Sequence, residues 1–503
     1  MQPSRGGRKS DAIVWSLPFD QRAAGTALQT WLYDELRKAI ITGRLPAGAL
    51  LPGSRTFAQH YSVSRGTAQS VYDQLSSEGY LETQTGSGTR VTLALPDSRF
   101  TVSAPVNAAK THPVQLPVPQ GSWFHRLEQL PSAFPTGSSA KLPFPFMPHR
   151  ADVKQFPIDI WRKLQTRHLR TSRLETFWEA DPSGHPGLRH AIAEKLAIAR
   201  GLNVQPEHIL ILGSVQQALD LCLRVMTNSG DQVWMEDPGY VGARRLMQAA
   251  GMRVTDVGVD NEGMRVADGI RDAPAARLVY TTPSHQSPLG TTLSNERRYA
   301  LLDWAAGSGA VIFEDDYDSE YRFAGAPIAG LRGIPGSESH VIFSGTFSKL
   351  LFPALRVAFL VLPPHLLHAF TSAASLMWRQ ANGLAQAVLA DFIADGHFDH
   401  HVRRMRKIYS ERANMFCRAA ERHWCGLIEV QKPEAGLDTV GRLLTMSEDQ
   451  AMARLNAAGV GAFPLGKYAG SIAATPALIM GFATYSEEEI EKAAARVAAA
   501  LRD

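Results

Sequence analysis

Cysteine is scarce in this chain of 503 residues. Cys222, Cys417 and Cys425 are the only three, and they lack the spacing of a metal knuckle. Three thiols are also too few for a disulfide framework, so a small stapled scaffold is excluded and a reducing cytoplasm fits best. No apolar run is long enough to cross a bilayer, and the opening stretch MQPSRGGRKSDAIVW has no apolar core of the kind a secretory leader needs. No internal repeat is visible. Net charge is low as well, at +4, which by itself defines no partner. What is present is ordinary globular material: 45% hydrophobic and 20% charged residues, enough for two or three domains with real cores.

One absence is local. No acidic residue occurs from Leu51 through Tyr72, while Arg55, His60 and Arg65 do. That pattern suits a phosphate backbone. Leu28, Leu32, Leu36 and Ile40 recur at helical spacing, and Gly43 and Pro46 end that helix. Ser54 is placed to cap a short second helix to His60, and Ser64 a third from Arg65 to Ser76. Strand-like residues follow at Gly79–Leu81 and Arg90–Thr92, around the turn Thr85-Gly86-Ser87-Gly88-Thr89. The order predicts a winged helix-turn-helix. Ser64, Arg65, Gly66, Thr67 and Gln69 would face a major groove, where arginine reads guanine and Gln69 can pair with adenine. Gly86 and Gly88 would let a wing approach the minor groove. A small helical protein-interaction domain is the competing reading of the pattern alone.

The run LRKAIITGRLPAGALLPGSRTFAQHYSVSRGTAQSVYDQLSSEGYLETQTGSGTRV resembles the GntR-superfamily DNA-binding domain almost position for position. The resemblance implies that Arg55, Ser64, Arg65, Thr67 and Gly86 sit at DNA-contacting positions. It leaves operator preference open, since many relatives differ at Gln69. We place this domain at residues 24–93. Residues 94–126, rich in Pro, Ala and small polar types, read as an extended linker. A second Pro-rich stretch, Leu142–Pro148, carries aromatics and reads as packing on a globular domain with no catalytic role.

Residues 127–503 form the remaining domain. From Asp152 onward apolar strands alternate with amphipathic helices, which predicts a mostly parallel sheet covered on both faces. Ligands gather at the carboxyl ends of such strands. Four motifs fall there. Gly213-Ser214-Val215-Gln216-Gln217 opens a helix and suits an anion. Glu236–Tyr240 presents Tyr240, which could stack on a flat ring or simply pack in the core. Phe313–Glu320 is a dense acidic cluster, open to a metal reading, in which Asp315 and Tyr317 could serve a pyridine nitrogen and a ring oxygen. Ser344–Arg356 holds Lys349 behind an apolar strand. A desolvated lysine is a usable nucleophile toward an aldehyde, and pyridoxal 5'-phosphate is the common aldehyde cofactor. Thr346 and Arg356 offer a hydroxyl and a guanidinium to its phosphate.

FPIDIWRKL, ADPSGHPGLRHAIAEKLAIARGL, VWMEDPGYVGARR, TTPSHQSPLG, FEDDYDSEYR, SGTFSKLLFPALRVAFLV and FIADGHFDHHVRRMRKIYSERA resemble fold-type I pyridoxal-phosphate enzymes. The whole chain resembles MocR-type regulators, which join a GntR winged helix to an aminotransferase-like domain with a smaller C-terminal α+β part. The resemblance implies Lys349 as the Schiff-base lysine, Asp315 on the pyridine nitrogen, Tyr317 near the ring hydroxyl and Tyr240 on the ring face. It assigns the phosphate to Ser214, Val215, Gln216, Thr346 and Arg356. It further implies a head-to-tail homodimer acting on promoter DNA under the control of an amino compound or of the cofactor itself.

Three departures stand out. Ser287 falls where aminotransferases place an asparagine. Asp438 stands where relatives often have histidine. Ala474–Phe482 lacks the arginine that clamps a substrate carboxylate, for which Arg244 is a candidate substitute. The expected function is therefore a regulator without efficient turnover. The alternative is an active aminotransferase with a DNA-binding tether.

Overall fold

This computed structural model describes residues 25–84, 88–94, 121–130, 144–170, 181–325, 328–379, 381–473 and 475–502. The chain divides into two compact units, Met1–Val118 and Pro119–Asp503. Gly86 and most of the stretch read as a linker lie outside the described residues.

The first unit has helices at Leu28–Ile41, Ser54–His60 and Arg65–Ser77. Three short strands, β1 (Leu50–Leu51), β2 (Leu81–Gln84) and β3 (Gly88–Val91), pair antiparallel in the order β1-β3-β2. Leu32, Leu36 and Ile40 are buried against Phe57, Val71, Leu75 and Val91. Ser64 caps the third helix as expected, its Oγ accepting from Thr67 N at 3.0 Å. Ser54 does not cap the second. It is already the first helical residue, and the helix opens instead on the backbone carbonyl of Gly53. β1 was not anticipated, because two residues carry no periodicity.

The second unit is built on an eight-stranded sheet. Its strands are β4 (Ile209–Leu212), β5 (Gln232–Asp237), β6 (Arg253–Asp260), β7 (Gly263–Met264), β8 (Leu278–Thr281), β9 (Val311–Asp316), β10 (Val341–Thr346) and β11 (Ala358–Val361). Their order is β4-β11-β10-β9-β8-β5-β6-β7. The run from β10 to β6 is parallel, whereas β11 is antiparallel to β10 and β4. Buried-on-both-faces strands such as β9 and β10 explain the continuous apolar runs in the sequence. β6 was missed because it lies near the sheet edge, is only partly buried and has no such run. A four-stranded antiparallel sheet completes the fold. It consists of β12 (Ile428–Val430), β13 (Asp438–Leu443), β14 (Phe463–Pro464) and β15 (Ala477–Gly481), ordered β12-β13-β15-β14. No helix among the described residues is long and apolar enough to cross a membrane.

The end of the stretch read as a linker is helical, from Ser122 to Gln129. Arg126 Nε donates to the Ala249 carbonyl at 2.7 Å, and the Arg224 guanidinium lies over the Trp123 ring at 5.6 Å. Those two contacts anchor a segment whose composition gives little sign of order.

The head depends on a small core. Phe57 is fully buried and meets the rings of Tyr61 and Tyr72 at 4.7 and 5.4 Å. Phe57→Ala should destabilise the head by about 3–5 kcal/mol in denaturant unfolding. A loss below about 1 kcal/mol would show that the core is not organised around this ring.

Candidate functional site

Strand alternation sorts the acidic cluster at the end of β9. Successive side chains point to opposite faces. Glu314 turns to the Leu331 and Arg332 amides, and Asp316 pairs with Arg200 at 2.8 Å. Asp315 takes the other face. Its Oδ2 accepts a hydrogen bond from Tyr280 Oη at 2.5 Å, and its Oδ1 is buried with no partner. Burial, helped by the neighbouring acids, pushes its pKa up from 3.8 to about 7, against the Tyr280 hydrogen bond.

Lys349 follows β10 on the same side and is half-buried. Its Nζ donates to the His149 carbonyl at 3.0 Å. Desolvation lowers its pKa, and Asp438, Asp318 and Asp315 work in the opposite direction. Burial thus favours the neutral amine, while the three carboxylates favour its charged form.

Two hydrogen-bonded sets flank it. In one, Tyr317 Oη lies 3.2 Å from His285 Nδ1, which pairs with Asp318 Oδ1 at 2.7 Å. Burial opposes protonation of His285, but the Asp318 carboxylate outweighs it and raises the pKa. Gly436, at φ 83°, passes directly over this histidine, where a Cβ would collide with the ring. In the other set, Asp438 at the start of β13 accepts from His149 N at 2.8 Å and pairs with His149 Nδ1 at 2.7 Å. The second ring nitrogen of His149 meets Tyr468 Oη at 2.6 Å. Burial works against ionising Asp438, yet His149 and Lys349 hold its pKa below the ordinary value.

Tyr240 approaches Tyr280, with ring centroids 6.5 Å apart and planes 29° from parallel. Gly242 makes room for it, since a Cβ there would strike the Tyr240 ring. Both Asp315 and Arg356 act electrostatically on Tyr240, so the three are neighbours. Arg356 has φ 51°, a left-handed conformation uncommon for a residue with a side chain. Among the described residues no carboxylate pairs with it. Ser214 Oγ caps the Val215–Met226 helix by accepting from Gln217 N at 3.1 Å, and the Gln217 side chain accepts from Gly213 N at 2.6 Å. Gln216 lies beside Tyr240, and its Nε2 helps fill the space that a Cβ on Gly242 would need. Thr346 Oγ1 accepts from Ser348 N at 3.2 Å.

Sequence reasoning missed several members of this pocket. His149 directly follows the Pro-rich stretch Leu142–Pro148, in which no catalytic role was read, yet its carbonyl holds Lys349. Its left-handed φ of 63° leaves no mark in the sequence. Tyr280 and Tyr468 were not singled out, and only the neighbouring strands bring Tyr280 to Asp315. Arg244 is not a free clamp. It is bound to Asp256 and the Glu236 carbonyl and lies 3.7 Å from Asp237. Using it to hold a ligand would strip a buried ion pair.

In the head, Arg55, Arg65 and Gln69 are exposed, the latter two one helical turn apart. Ser64 and Thr67 hydrogen-bond each other at 2.8 Å in the cap. Gln69 Nε2 donates to Asp73 Oδ1 at 2.8 Å.

Two family descriptions match. Residues 152–497 match aminotransferase class I and II, and residues 28–91 match the bacterial regulatory proteins of the gntR family. The chain is 37% identical to the probable rhizopine catabolism regulatory protein MocR of Rhizobium meliloti, over 86% of this chain and 85% of that protein. It is 28% identical to the pyridoxine biosynthesis regulator PdxR of Corynebacterium glutamicum, over 95% and 96%. It is 32% identical to the regulator TauR of Rhodobacter capsulatus, over 78% and 80%. Among solved structures, the α-aminoadipate aminotransferase LysN of Thermus thermophilus, complexed with N-(5'-phosphopyridoxyl)-L-leucine, superimposes with a TM-score of 0.66. It shares 27% identity and covers 72% of this chain and 92% of its own.

The raised pKa of Asp315 has a consequence for stability. A carboxyl with its folded pKa above its unfolded one stabilises the fold below about pH 4 and loses that contribution as pH rises through about 7. In ligand-free protein, the unfolding temperature of the wild type relative to Asp315→Asn should therefore fall between pH 4 and pH 8. A difference that stays flat would mean the Asp315 carboxyl is not desolvated.

Proposed function

The chain belongs to the MocR-type regulators, in which a gntR-family head precedes an aminotransferase class I and II domain, and we propose that it senses an amino compound, or the cofactor itself, at Lys349. It is a DNA-binding transcriptional regulator that depends on pyridoxal 5'-phosphate, and the regulator reading is favoured over an aminotransferase with a DNA tether. The observation that carries the sensing proposal is a desolvated lysine, held by the His149 carbonyl, within electrostatic reach of Asp315, whose Oδ1 is buried without a partner.

The residues present fit the cofactor. Asp315 Oδ1 is an orphaned acceptor that a protonated ring nitrogen would satisfy. Arg356, together with Ser214, Val215, Gln216 and Thr346, would hold the phosphate, and the Val215–Met226 helix adds its N-terminal dipole. Tyr240 would cover the ring and Tyr317 would donate to its oxygen. When bound, the cofactor supplies an aldehyde carbon that condenses reversibly with primary amines.

The protein's own contribution is to lower the pKa of Lys349 by burial and to place its amine. Burial favours the uncharged amine, and the His149 carbonyl orients it. β15 crosses where a carboxylate clamp is sought and is fully buried and apolar, with no arginine from residue 475 to residue 482. The site is therefore built to bind an amine but poorly equipped to orient an α-amino acid for repeated turnover.

The hydrogen bond from Lys349 to His149 also suggests how occupancy is relayed. His149 lies in segment 144–150, which follows in sequence from the head and linker. A lysine engaged elsewhere releases the His149 carbonyl, and that change can bias segment 144–150. A ligand shifts such an equilibrium only by its differential affinity for the two arrangements. A head-to-tail homodimer would present two heads to repeated half-sites on promoter DNA in the cytoplasm.

Two variants test the assignment. Lys349→Ala should retain no visible cofactor absorbance after loading and dialysis, and retention at the wild-type level would remove Lys349 from its role. Arg65→Ala should weaken operator binding by about tenfold or more, the loss of one base or phosphate contact, while cofactor absorbance is unchanged. Equal DNA affinity in both proteins would displace Arg65 from the groove.

A further inference from the structure

The charge arrangement around Lys349 points to a ligand class. Asp438, Asp318 and Asp315 all bear on the lysine amine. Asp315 is matched to the cofactor ring, and Asp318 is engaged by His285 at 2.7 Å. Asp438, at the start of β13, is also paired with a histidine, since its Oδ2 takes both contacts from His149, but its side chain keeps 12% exposure against 4% for Asp318 and so stays the more accessible of the two. His149 is fixed in turn by Tyr468 at 2.6 Å. The result is a carboxylate, an imidazole and a phenol presented in a row beside the reactive amine.

The arginines nearby are already committed. Arg244 is bound to Asp256 and lies by Asp237. Arg322 donates to Ser284 O and Thr292 Oγ1 and pairs with Glu434 at 3.1 Å. Arg356 serves the phosphate. A ligand carboxylate arriving beside Asp438 would meet a like charge with no guanidinium to offset it, and such a juxtaposition excludes partners. A hydroxyl or second ammonium would instead gain a charge-assisted hydrogen bond.

We propose that Asp438, braced by His149 and Tyr468, selects a primary amine that carries a second hydrogen-bond donor and no carboxylate, such as an amino alcohol or a diamine. This rests on the sensing role of Lys349 proposed above. Asp438 is then the specificity-determining residue of the pocket, and the Asp at this position is what separates the site from one that receives amino acids.

The test is a titration of cofactor-loaded full-length protein, read by the visible absorption of the lysine-bound cofactor. Ethanolamine and 1,4-diaminobutane are compared with L-alanine and 4-aminobutanoate. The carboxylate-free amines should half-saturate the change at a concentration lower by about tenfold or more. Asp438→Asn should raise their half-saturating concentration and lower that of the amino acids. Amino acids acting at equal or lower concentration in the wild type overturn the proposal, and that arm holds even if the variant does not fold. A folded Asp438→Asn with an unchanged preference also overturns it, as does a coloured protein that responds to no amine. Protein that takes up no cofactor at all sinks the sensing reading instead, and the two failures are thereby distinguished.

Discussion

An amine kept among carboxylates in a poorly solvated pocket is the constraint on which the large domain turns. Lys349 loses part of its charge preference through burial and regains part of it from Asp315, Asp318 and Asp438. Burial is the larger influence, and the net shift of its pKa is downward. Each carboxylate is then pinned by a different partner: Tyr280 for Asp315, His285 for Asp318, His149 for Asp438. Those partners come from β8, from the loop after it and from segment 144–150. The pocket is thus a point where distant parts of the chain are tied together.

The sheet explains how so dense a set of acids can be tolerated. Burying ionisable groups is costly unless each finds a partner. Alternation along β9 sends Glu314 and Asp316 to backbone amides and to Arg200, away from the lysine, and leaves one carboxyl on the functional face. That single carboxyl retains an unsatisfied oxygen. A buried acceptor without a partner is costly, and a donor on a bound group would satisfy it.

Much of this was legible in the sequence, for identifiable reasons. β9 and β10 announce themselves as apolar runs that end in polar residues, so the sequence alone places Asp315, Tyr317, Thr346 and Lys349 at strand ends. The winged helix was readable because its helices follow a strict period and its third helix has a serine cap that forms as expected. β6 escaped because a partly buried strand near the sheet edge lacks a run. His149 and Tyr468 escaped because their roles depend on contacts across hundreds of residues, and no local pattern encodes those. Asp438 was visible only as a departure from relatives, and its meaning came from the lysine beside it. Arg244 was misjudged for the same reason in reverse, since its sequence neighbours give no hint of Asp256.

The central claim is that Lys349 is the residue that carries the aldehyde. Borohydride reduction of cofactor-loaded protein, followed by peptide mass analysis, tests it directly. The account predicts one reduced adduct of pyridoxal phosphate, on the peptide containing Lys349. An adduct on a different lysine, or none on a protein that has taken up the cofactor, would contradict it.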